Sequence, residues 1–275
     1  MRQSLRSLLV SIWLACLPTV AGAQTSQDLV LGISEGTSGG LDHAQVIAKY
    51  KGLADLLGRA ISKRVSVVFL REFAQIEDGM KSGRLDFLMA RPSDYPARGV
   101  RDHGYRFVAS AKPDGQCLLI VPKGSPLKTL ADARGKRWVL PEPNAYMTRF
   151  CKAELRDRGI QVETEQLQYV REQGAVGFYL ENGLGDVGGV ASYSGVAKSW
   201  EEKGHRVLHR SVSQPYFPLV AGSRVSASQV AAIQLRLAAM PNDAAEQALL
   251  KMINVKAFDV ASNDRLTALL AWLGK

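Results

Sequence analysis

Five consecutive residues, Gly36-Thr37-Ser38-Gly39-Gly40, fit the G-x-S-x-G pattern of a nucleophilic serine on a sharp strand-to-helix turn. In that chemistry Ser38 attacks a carbonyl carbon while a histidine takes its proton. Nothing in the spacing of His43, His103, His205 and His209 marks one of them as the base. The elbow would also follow the first strand, an early place for a hydrolase. The same stretch reads as a small-residue loop that lets backbone approach a ligand, with Thr37 and Ser38 adding hydroxyls. The ligand loop is the leading reading and a secreted serine hydrolase the alternative.

A second constellation suits an oxyanion. Pro143-Asn144 precedes a predicted helix from Ala145 to Arg158. The first amides of a helix lack intrahelical acceptors and carry partial positive charge, so they bind phosphate-like groups without a cationic side chain. Asn144 and Ala145 open this turn, and Tyr146 and Thr148 supply hydroxyls just inside it. Arg91 follows an apolar strand, where a guanidinium either clamps an oxyanion bidentately or forms a surface salt bridge. Ser192 and Tyr193 end another strand on the side expected to face the same cleft.

Other chemistry finds little support. His205 and His209 have the spacing of a metal pair on a helix, but Arg206-Val207-Leu208 between them reads as strand. There is no Walker loop, no dinucleotide-binding glycine pattern and no C-x-x-C. No cofactor and no metal are expected. Cys117 and Cys151 lie in a predicted strand and a predicted helix, and either a disulfide or two buried thiols fits them.

The elements that position these residues alternate. Strands are predicted at 29–34, 65–70 and 85–90, with helices at 43–61 and 73–82 between them, and Pro92 to Tyr95 as a loop. Strands at 105–111 and 116–121 follow in close succession, marking a crossing into a second lobe. There the alternation resumes: a short helix at 125–133, strands at 137–140, 162–167 and 186–191, helices at 145–158, 172–181 and 194–202, and a strand at 205–210. A second crossing leads to a strand at 217–221 and three helices, 226–239, 243–253 and 263–273, expected to return over the first lobe. Strand-helix alternation predicts an α/β protein with parallel sheets. Residues 24–112 and 214–275 form lobe 1 and residues 113–213 lobe 2. Two connecting segments make a hinge, with ligand in the cleft at the carboxyl ends of the strands.

The N-terminus reads as an export signal. Arg2 and Arg6 precede an apolar run, Leu8 to Leu17, and Ala21-Gly22-Ala23 offers small residues for cleavage near Ala23. Export implies a periplasmic location. Removal leaves 33 bases against 26 acids, a scattered positive excess that favours anionic ligands. The basic residues form no stripe with interleaved aromatics, so nucleic acid is not a predicted partner.

In collinear order, several segments resemble the periplasmic phosphonate, phosphite and phosphate binding proteins. Tyr50-x-x-Leu53-Ala54-x-Leu56-Leu57 is similar to their first-helix motif. Gly83-Arg84-Leu85-Asp86, running to Pro92-Ser93-Asp94-Tyr95, resembles the strand that ends in their Pro-x-x-Tyr loop. Ser125-Pro126-Leu127 through Gly135-Lys136 is similar to the opening of their second lobe, and Pro143-Asn144 to their anion-binding turn. Leu249 to Ile253, Phe258 and Leu266 resemble their terminal helices. The resemblance implies a type 2 periplasmic binding fold and a monomeric receptor that hands a small anion to an ABC permease in the inner membrane. A sensor of the same fold, feeding a membrane kinase, is the alternative.

The resemblance also implies ligand-facing roles for Tyr50 and Tyr95, although Tyr50 fits the buried stripe of its helix as well. Gln173 lies close to a ligand position. The family's hydroxyls after the Pro-Asn pair are replaced at Ala145 and Met147, and Arg91 stands where the family usually has glycine.

Overall fold

The computed structural model describes residues 28–38 and 40–274, with Ser38 described by its backbone alone. The expected signal peptide therefore lies outside the described residues, as do Gly39, Lys275 and the Ser38 side chain.

Two sheets organise the chain. The first contains β1 (Leu29–Ser34), β2 (Val65–Phe69), β3 (Phe87–Ala90), β4 (Arg106–Gly115), β10 (Gln214–Ala221) and β11 (Ala257–Asp259), in the order β11-β4-β10-β3-β1-β2. β1 runs parallel to β2 and β3, whereas β10 is antiparallel to β3 and β4. The second contains β5 (Cys117–Val121), β6 (Arg137–Pro141), β7 (Gln166–Val170), β8 (Val187–Ala191) and β9 (Arg206–Arg210), ordered β7-β6-β8-β5-β9. The chain passes between the sheets at Gln116 and again over residues 211–213.

The helices are α1 (His43–Ile61), α2 (Phe73–Lys81), α3 (Asp94–Asp102), α4 (Tyr146–Asp157), α5 (Gln173–Glu181), α6 (Gly195–Glu202), α7 (Ala227–Ala239), α8 (Ala244–Met252) and α9 (Asn263–Leu273). Strands covered on both faces need apolar residues at every position. In β3, Phe87 and Met89 join the core under α1 and α7, while Leu88 and Ala90 join the core under α2. In β5, Cys117, Leu119 and Val121 pack toward α4, and Leu118 and Ile120 toward α5 and α6. Gly188 and Gly189 admit helices to both faces of β8. A Cβ at Gly188 would stand 2.5 Å from Val176, and one at Gly189 would stand 2.6 Å from Leu140.

α1 starts at a capping box. Asp42 accepts from the Gln45 amide at 2.8 Å, and Gln45 accepts from the Asp42 amide at 3.0 Å. Its buried stripe includes Val46, Tyr50, Leu53, Leu57 and Ile61.

Several expectations are corrected. The stretch after Pro92, expected as a loop, is the helix α3, and Tyr95 is its second residue. Its sequence, DYPARGVRD, sets charged Asp94, Arg98, Arg101 and Asp102 on one face and small buried residues on the other, with no large apolar stripe, and Pro96 is tolerated because it falls in the first turn. The helix expected at 125–133 shrinks to a 3₁₀ turn, Leu130–Ala133. β4 continues through Lys112–Gly115. α9 does not simply return over lobe 1: Leu266 and Leu269 pack into the core of α4, beside Ala97 of α3, and Trp272 meets Phe150 edge-on at 5.2 Å. The open question of the cysteines closes as a disulfide between Cys117 and Cys151, with Cα atoms 5.3 Å apart. Among the described residues no helix is long and apolar enough to cross a membrane.

Candidate functional site

The site begins with strand register. β1 and β3 lie side by side in parallel, with Ser34 opposite Ala90. The next residue of each strand, Glu35 and Arg91, therefore leaves the same end of the sheet at neighbouring points. The Arg91 amide donates to the Ser34 carbonyl at 2.9 Å, fixing the two exits together. The side chains form an ion pair, Arg91 Nε to Glu35 Oε2, at 5% and 6% exposure. Glu35 Oε1 also accepts from Lys49 Nζ at 2.7 Å and from the Tyr50 hydroxyl at 2.6 Å. Two cations thus face one carboxylate.

Burial alone would raise the Glu35 carboxyl, but the charges of Arg91 and Lys49, with hydrogen bonds from Lys49 and Tyr50, hold it down at about 2. Burial and the Glu35 charge push the Tyr50 phenol well above its usual range. Arg91 is raised because Glu35 outweighs the opposing effect of burial. Its guanidinium carbon lies 4.7 Å from the ring of Phe217, 5.3 Å from Tyr216 and 5.4 Å from Tyr193, an aromatic box suited to a cation. Even so, Arg91 Nη1 has no hydrogen-bond partner among the described residues.

Lobe 2 meets this cluster with the start of α4. Ala145 caps the helix in extended conformation, and no side chain caps its first amides. Tyr146 and Met147 line the remaining cleft with Gln173 and Tyr193, facing Glu35, Gly36, Thr37, Phe73, Arg91 and Pro92 of lobe 1. The free space between them is about 10 Å³, room for at most one water. The lobes are closed. Gln173 bridges them, accepting from the Ala191 amide at 2.6 Å and donating to Thr37 Oγ1 at 3.3 Å. The Tyr146 hydroxyl is buried near the Ser93 hydroxyl but makes no hydrogen bond of normal geometry among the described residues, and burial raises its pKa well above the usual range. A second ionic cluster ties the halves: Asp94, with a fully buried side chain, pairs with Arg149 of α4 and with Arg98 at 3.3 Å.

The structure thus brings Thr37, Arg91, Tyr146, Tyr193 and, through Glu35, Tyr50 to one place. It sets others apart. Asn144 is exposed, outside the residues that line the cleft, whereas Ala145 is buried. Thr148 donates its hydroxyl to the Pro141 carbonyl at 2.8 Å. Tyr95 stacks on Phe73 at 5.8 Å and lies under the Arg98 guanidinium at 4.2 Å. Ser192 Oγ accepts from the Gln116 amide at 3.1 Å, at the crossing between sheets. The Ser38 side chain lies outside the described residues.

Three histidines are engaged elsewhere. His103 contacts Glu77 at 3.3 Å, His205 accepts from the Lys123 amide at 2.8 Å, and His209 contacts Glu154 at 2.8 Å. His43 stands 6.2 Å from the Phe69 ring. Among the described residues no group of three or more His, Cys, Asp and Glu side chains is placed to hold a metal. Sequence reasoning did not single out Glu35, Lys49 or Phe217. The usable signal for Glu35 was its place one residue beyond a buried parallel strand, the same signal that marked Arg91.

No curated protein sequence matches the chain. Among solved structures, XAC2383 from Xanthomonas citri bound to ATP superposes with a TM-score of 0.71 at 17% identity, over 90% of this chain and 98% of that one. PhnD1 from Prochlorococcus marinus in complex with methylphosphonate gives 0.68 at 11% identity, over 89% and 96%. The periplasmic aliphatic sulphonate binding protein SsuA from Escherichia coli gives 0.61 at 18%, over 90% and 82%. These likenesses establish the type 2 periplasmic binding fold. Residues 40–266 match the family model described as ABC transporter, phosphonate, periplasmic substrate-binding protein, and the chain belongs to that family.

Proposed function

We propose that this protein is the solute receptor of an ABC importer and captures a small oxyanion, phosphonate-, phosphite- or phosphate-like, between its lobes. The observation that carries this reading is a pair of buried donors without partners, one from each lobe: Arg91 Nη1 and the Tyr146 hydroxyl. An unmet buried donor is costly, and an anion is the ligand that relieves it. The uncapped first turn of α4 adds partial positive charge beside Tyr146. Methylphosphonate and aliphatic sulphonates, named for two structural relatives, share a compact head of three oxygens.

The binding set in this reading is Arg91, Tyr146, the amides after Ala145, and Thr37 with Tyr193 as the walls. Tyr50 acts through Glu35. Ligand enters when residues 113–213 swing away from the rest, and the closed form presents itself to a membrane permease. The crossing segments that would flex are joined by a hydrogen bond from Gln116 Nε2 to the Ser211 carbonyl at 2.7 Å. Export to the periplasm, action as a monomer and the absence of catalysis complete the proposal.

Thermal-shift screening of the processed protein tests it. Phosphate, phosphite, methylphosphonate, small sulfonates and carboxylates are compared with neutral and cationic solutes. A ligand that binds only the folded state raises its melting temperature. Stabilisation by at least one oxyanion is expected. Stabilisation by neutral or cationic solutes alone would overturn the reading.

A further inference from the structure

A second cavity, larger and of different chemistry, opens between the lobes on the far side of the Tyr193–Tyr216 pair. It encloses about 700 Å³, within the range of organic-ligand sites and far beyond the needs of a compact oxyanion. Its wall includes both tyrosine rings, whose centroids are 4.1 Å apart at 31°. Tyr216 is 2% exposed, and its hydroxyl has no hydrogen-bond partner among the described residues.

The rim is cationic. Lys251 and Lys256 of lobe 1 and Lys198 of lobe 2 line it, and none of the three forms an ion pair among the described residues. Lys198 donates only to the Asn254 amide oxygen, at 3.0 Å. The one acid in the lining, Asp114, is already neutralised by Lys112 at 2.9 Å and Arg265 at 2.6 Å.

We infer that this cavity is a second binding site, for an organic anion with a planar ring. The ring lies against Tyr193, which Tyr216 backs from the protein side, and the lysines neutralise a carboxylate or phosphate head. Because the lysines come from both lobes, occupancy ties the lobes together from this side as well. The inference stands apart from the reading of the interlobe cleft, which uses none of these lysines.

Phenyl phosphate is the probe, measured by isothermal titration calorimetry on the processed protein in excess methylphosphonate, so that the interlobe cleft is already occupied. Binding at one site is expected, weakened about tenfold in the K251A/K256A double variant. The lysines are exposed, so their removal leaves the fold intact, and the response to methylphosphonate in the thermal-shift screen stays unchanged in the same variant. No heat of binding, or binding whose affinity the double variant leaves unchanged, overturns the inference. The second result would place the probe elsewhere.

Discussion

Arg91 and Glu35 stand 56 residues apart in sequence yet form an ion pair buried on both sides, because each is the first residue beyond one of two adjacent parallel strands. The pair fills the closed cleft with the protein's own carboxylate. If the cleft captures an oxyanion as proposed, that oxyanion competes with Glu35 for the Arg91 guanidinium. Glu35→Gln therefore tightens oxyanion binding, read as a lower Kd by calorimetry. The same change leaves the buried Arg91 and the half-buried Lys49 without their acid and destabilises the fold by about 3 kcal/mol, read by urea denaturation. Weaker oxyanion binding in the variant would show that Glu35 does not compete.

The acid limb of stability follows from the same carboxylate. Its folded pKa, about 2, lies below its ordinary value of 4.5. Stability from this group is full above pH 4.5 and disappears as pH falls through 2, on the order of 3 kcal/mol in all. The stability difference between wild type and Glu35→Gln shrinks across that window. Denaturation midpoints at pH 6, 4 and 3 measure it, and a constant difference would contradict the ion-pair account.

Arg149 on α4 reaches the buried Asp94 on α3, and Asp94 keeps Arg98 as a second partner. Arg149→Met removes one tie between the lobes without stranding the carboxylate. The ligand-free variant favours the open form, so small-angle scattering gives a larger radius of gyration than for wild type. Saturating ligand restores the compact value.

The disulfide closes a loop between residues 34 positions apart, joining β5 to α4. Constraining a loop of that length contributes about 3–4 kcal/mol. The double variant with Cys117→Ala and Cys151→Ala loses that amount in chemical denaturation, and reductant then has no further effect on it.

Thr148 separates two models of the anion turn. Its hydroxyl is committed to the Pro141 carbonyl. Thr148→Val lowers stability by about 1 kcal/mol and leaves oxyanion affinity within about twofold. A tenfold loss of affinity would put that hydroxyl on the ligand.

The alternation of strands and helices was legible in the amino-acid order alone, because strands covered on both faces must be apolar throughout and amphipathic helices must carry a stripe. That pattern gave the two lobes, the crossings between them and the loops that meet at the cleft. It marked Arg91 and the start of α4 for the same reason: both follow strand ends. α3 stayed hidden because it is short and its two-sidedness comes from charged residues on one face rather than from a run of large apolar ones; it packs against α9. Which side chains meet depends on how distant elements pack. Register between β1 and β3 paired Glu35 with Arg91, a relation no local window contains. Packing within each lobe committed Thr148 to Pro141 and Tyr95 to Phe73 and Arg98, and the crossing between the sheets committed Ser192 to Gln116. Lobe closure divided the space between the lobes into a narrow cleft and a wide cavity, which depends on how two sheets pack rather than on any residue's neighbours in the chain.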